Sequence, residues 1–198
     1  MPRGELRVKG LRGGTISEIT EFLVDFEGAY ISFYSFEATL LRWQRARRYW
    51  PDFFFREELF GIGVEHDPDA PEYIVPTDRL ELSRVLIESP GFWEFAGALN
   101  PLQQLREYLK DRHERRKDHL YRESAEKERL ELENELLQAQ ILEKEGSILR
   151  SQILTLRELG YSQEEIRELV WTRLGPPLSR LGRHQDRGLI EGPEEEAS

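Results

Sequence analysis

Residues 15–48, TISEITEFLVDFEGAYISFYSFEATLLRWQRARR, decide the fold class. Thr15 followed three residues later by Glu18 is a capping box: the hydroxyl accepts from the Glu18 amide and the carboxylate reaches back to Thr15. Ile19, Phe22, Leu23, Phe26, Tyr30, Phe33, Tyr34, Leu40 and Leu41 then recur at the helical period. One long amphipathic helix is expected, with that stripe facing a core. The same rings could line a ligand pocket, but the i, i+3, i+4 spacing favours a core face. Glu37 lies beside the stripe and needs a partner if buried. Pro51 stops the helix.

Short strands flank this helix. Leu6, Val8 and Leu11 flank Arg7 and Lys9, and Gly13-Gly14 ends the run. Residues 80–88, LELSRVLIE, read as a strand. Ser89-Pro90-Gly91 supplies a type II turn, and Phe92, Trp93 and Phe95 form the antiparallel return. Residues 1–99 are therefore expected to be an α+β head, a small antiparallel sheet covered by helix. Residues 51–78 are rich in Pro, Gly and Asp, and read as loops with short strands at 61–64 and 73–75. Glu65, His66, Asp67 and Asp69 lack EF-hand spacing and read as a solvated acidic loop.

Residues 100–159 are expected to form a long protruding helix resembling a coiled coil. Asn100, Pro101 and Gln103 suit its start as N-cap, first-turn proline and capping-box partner. Leu102, Leu105 and Leu109 give an apolar stripe that lapses over residues 110–129. A helix polar all round is usually held by i,i+4 pairs in water. The stripe returns as a heptad, with Leu130 and Leu137 at d and Asn134, Ile141 and Ile148 at a. A buried Asn at a fixes register and strand number. Leu149, Ile153 and Leu156 continue on a shifted stripe, and Gly146-Ser147 marks a possible kink. A continuous helix would extend about 90 Å at 1.5 Å per residue, too far to pack on so small a head. Its leucines and isoleucines beyond 130 are expected to take their neighbours from a second copy. A homo-oligomer follows, a dimer favoured, with Leu130, Asn134, Leu137, Ile141 and Ile148 as its interface. A hairpin folding back at Gly146 is the alternative.

Residues 160–190 read as a short C-terminal helical unit. Gly160 caps the stem. Ser162 and Glu165 make another capping box, with Tyr161 stapled onto Ile166. That helix is expected to end near Leu174-Gly175, before Pro176-Pro177, with a further short helix from Leu178 to Gln185. Residues 191–198 are an acidic tail expected to be disordered.

Residues 156–170, LRELGYSQEEIRELV, resemble the segment that follows the DNA-binding helices in MerR-type regulators. Residues 183–192, RHQDRGLIEG, are similar to the Tyr-Glu-x-x-Gly-Leu stretch closing their helix-turn-helix. The two stretches stand in the opposite order to the family's. Arg183-His184-Gln185 also stands where the family has Arg-Tyr-Tyr. The resemblance implies contacts to phosphates and base edges from Arg173, Arg180, Arg183, His184 and Arg187. The alternative is a helical cap packed through Ile166, Leu169 and Leu174. A second basic stretch, residues 42–50, interleaves four arginines, including Arg42, Arg45 and Arg48, with three aromatics. That mixture suits single-stranded nucleic acid. Cations also suit a helix C-terminus.

The 198 residues carry a formal net charge of -10, which argues against a wholly nucleic-acid-binding or anionic-membrane-binding surface. There is no Cys, so thiolate chemistry, disulfides and Cys-based zinc sites are excluded and a reducing cytoplasm is compatible. No signal peptide or membrane span is visible. No phosphate-cradling loop or Gly-x-Ser-x-Gly elbow is present. His113 and His119 lie roughly 240° apart around a helix and cannot share a metal. No catalytic residue, metal or cofactor is expected. The sequence favours a non-enzymatic cytoplasmic adaptor or scaffold that self-associates through its long helix and engages a protein partner through its head or C-terminal unit. A nucleic-acid-binding regulator is the alternative.

Overall fold

The computed structural model describes residues 2–49, 74–87, 90–122 and 147–194. Among these, strands β1 (Arg3–Gly10), β2 (Glu81–Leu86), β3 (Gly91–Ala98) and β4 (Ile190–Pro193) form one antiparallel sheet in the order β2-β3-β1-β4. Four helices accompany it: α1 (Ile16–Tyr49), α2 (Leu99–Arg122), α3 (Ser147–Glu158) and α4 (Gln163–Asp186). The fold is α+β, as the sequence indicates.

Alternation along the central strands makes one face apolar. Leu6 and Val8 of β1 and Trp93 and Phe95 of β3 are buried there. The stripe of α1 lies on this face: Phe22 meets Trp93 edge to face, ring centres 5.4 Å apart, and Phe26 stacks on Phe95 at 3.9 Å. The opposite face is polar. Arg7 sits over the Phe92 ring at 3.9 Å and pairs with Glu94 and Glu194. The aromatic stripe is thus core, and its rings pack on one another and on the sheet.

The start of α1 is capped as its sequence predicts. Glu18 N–H donates to Thr15 Oγ1 at 3.2 Å and Thr15 N–H donates to the Glu18 carboxylate at 2.9 Å. Arg12 joins the same carboxylate at 2.7 Å. These contacts, the Arg12 hydrogen bond first, pull the Glu18 carboxyl down to about 2. Farther along α1, Tyr30 Oη accepts from Ala98 N–H at 2.7 Å and donates to the Asp78 carbonyl. Tyr34 Oη donates to Asp78 Oδ2 at 3.0 Å. The two phenols hold the 3-10 turn Pro76–Asp78 against the end of β3. Burial pushes the Tyr30 hydroxyl up to about 12. Gly97 makes this approach possible, since a Cβ there would lie 2.9 Å from Tyr30 Oη.

The start of α2 departs from expectation. The helix begins at Leu99, so Asn100 is inside it and caps nothing. Its side chain instead donates to Glu37 Oε1 at 2.6 Å, supplying Glu37 with a partner on a different helix. Donation to an ionised, half-buried carboxylate is a charge-assisted hydrogen bond, stronger than one between neutral groups.

The polar stretch after Leu109 is also not all solvated. Tyr108, Arg112 and Arg116 lie four apart on α2, and each donates to an α4 carbonyl: Leu178 at 2.6 Å, Gly182 at 3.3 Å and Gln185. Gln185 returns the contact, donating to the Leu109 carbonyl at 3.0 Å. Gly182 lets the helices approach: a Cβ there would lie 2.7 Å from Arg112 Nε and 2.8 Å from Tyr108 Oη.

Residues 160–190 do not stand apart from the head. Ser162 and Glu165 form the expected capping box. The helix they start then runs unbroken to Asp186, through Pro176 and Pro177. Each proline removes one donor from the ladder. Burial of Leu174, Pro177, Leu178 and Leu181, with the clamp from α2, keeps the helix continuous through them. At its end Gly188, at φ 68°, permits a Schellman turn: Gly188 N–H bonds Gln185 O and Leu189 N–H bonds His184 O. Gly160, at φ 92°, closes α3 in the same way. The Gly-Leu stretch then continues as β4 beside β1, a sheet edge instead of the closing turn of a helix-turn-helix.

The shifted stripe of α3 needs no second copy. Leu149, Ile153 and Leu156 are buried in the same core as α1 and α4. The expectation that apolar residues beyond 130 lack neighbours in their own chain fails for these three. Helix α1 overhangs the sheet and offers them a surface; Gln44 of α1 bonds Thr155 of α3 at 3.1 Å.

Candidate interaction surfaces

Of the heptad positions, Leu130, Asn134, Leu137 and Ile141 lie outside the described residues. Ile148 is half-buried at the start of α3.

The arginines singled out for nucleic acid fall in different places. Arg42 and Arg45 are exposed near the end of α1, and the Arg48 side chain lies outside the description. Arg183 is exposed on α4. Arg180 faces Asp25 at 3.4 Å and Arg187 pairs with Glu21 at 2.8 Å. These two guanidiniums bind α4 to α1. His184 is buried and meets the same Asp25 at 2.8 Å, so it serves the interior. Arg173 lines a groove between α1 and α4 with Ser32, Ser35, Thr39 and Trp43. Its cavity of about 20 Å³ holds roughly one water.

A surface that the sequence reading did not single out lies at β2. Leu82 is 44% exposed, Val85 40%, Leu86 39% and Ile87 53%. Leu82 and Val85 stand opposite Phe95 and Trp93, so they continue the apolar face of the sheet. Neither is covered as its neighbours on β3 are. The outer edge of β2 has no strand beside it among the described residues. Edge strands are usually blunted by charge, proline or a covering element. Both edges carry such devices: β2 has exposed Glu81 and Arg84 and a bulge at Ser83, while β4 has four residues, ends at Pro193, and lies against His113 of α2, 3.4 Å from where a Gly192 Cβ would be. The signal was present in the run Val85-Leu86-Ile87. Consecutive apolar residues read naturally as a strand buried on both faces, and only the strand order shows an edge.

Among the described residues no group of three or more His, Asp or Glu is placed to hold a metal ion. No described helix is long and apolar enough to cross a membrane. Comparison with protein-family models, with curated proteins and with solved structures gives no match.

Proposed function

We propose that this chain is a non-enzymatic interaction and assembly protein, an adaptor or scaffold whose copies associate. The observation that carries the reading is the apolar edge of β2, which has no strand beside it among the described residues and leaves Leu82, Val85, Leu86 and Ile87 exposed. An uncovered edge offers both hydrogen-bonding groups and apolar area to another chain. The heptad of Leu130, Asn134, Leu137, Ile141 and Ile148 belongs to the same proposal as a second, helical contact between copies. A cytoplasmic setting goes with it, compatible with a chain that lacks cysteine.

Light scattering across a concentration series tests the reading. An oligomer is expected, and Ile141→Asp is expected to weaken it. A strict monomer at every concentration sinks self-association. The competing nucleic-acid reading rests on Arg42, Arg45 and Arg183, which are exposed. It requires measurable binding to mixed DNA or RNA at about 50 mM salt, falling steeply as salt rises.

A further inference from the structure

We draw no further inference here: the strongest candidate, the buried and unpartnered side-chain amides of Gln104 on α2 and Gln152 on α3, carries nothing, because the groove among the described residues is lined by α1 and α4 alone and nothing in the structure shows what these amides would bind.

Discussion

His184 Nε2 lies 2.8 Å from Asp25 Oδ2, and both residues are buried where α4 crosses α1. The contact joins positions 159 residues apart and places the imidazole edge-on to Phe22, ring centres 5.5 Å apart. It pins the C-terminal helix to the first one. Arg180 approaches the other Asp25 oxygen at 3.4 Å from the solvent side.

Truncating one partner strands the other. His184→Leu is expected to destabilise the chain by about 2–3 kcal/mol in urea unfolding, since it leaves the buried Asp25 carboxylate without its interior partner and with only the half-exposed Arg180. Asp25→Leu should cost a similar amount. The double variant Asp25→Leu/His184→Leu is expected to lose less than the sum, because neither group is then left alone. Additive losses would show that the two side chains do not depend on each other.

Gly182→Ala separates two effects of opposite sign. Alanine favours a helix over glycine by about 1 kcal/mol. The added Cβ would sit 2.7 Å from Arg112 and 2.8 Å from Tyr108 Oη, breaking the hydrogen bonds these make to α4. A net loss of about 1–2 kcal/mol is expected in thermal unfolding. A gain in Tm would mean that the clamp between α2 and α4 yields without cost.

The Tyr30 hydroxyl is raised to about 12 by burial, chiefly, and its neutral form is the one the fold holds. A group raised on folding contributes stability that is full below its unfolded value, about 10, and is lost as pH rises through 12. Unfolding curves between pH 9 and 12 should therefore fall more steeply for the wild type than for Tyr30→Phe. At pH 7 the variant is expected to lose about 1–3 kcal/mol, because the Ala98 amide loses its acceptor. Parallel curves would remove the phenol from the alkaline transition.

Leu156 tests where α3 belongs. It is fully buried in the core of its own chain, whereas Leu154 on the same helix is 49% exposed. Leu156→Ala is expected to cost about 2–5 kcal/mol at any protein concentration. Leu154→Ala should stay within about 0.5 kcal/mol. A Leu156→Ala loss that vanished on dilution would return α3 to an interface between copies.

The sequence by itself determined what neighbours within a few residues control. The capping boxes at Thr15 and Ser162, the glycine stop at Gly160, the aromatic stripe of α1 and the strands β1, β2 and β3 all depend on such spacings, and all were legible there. Tertiary structure decided what depends on a partner far along the chain. Arg112 and Arg116 look solvated in sequence, yet their acceptors are α4 carbonyls about seventy positions away. Pro176 and Pro177 look like a stop, and buried leucines on either side carry the helix through. Val85, Leu86 and Ile87 look like a strand's interior, and only the order of strands leaves them at an edge. The physical reason is common to all three. Hydrophobic periodicity records which side chains must leave water, but not which backbone groups the fold will bring beside them.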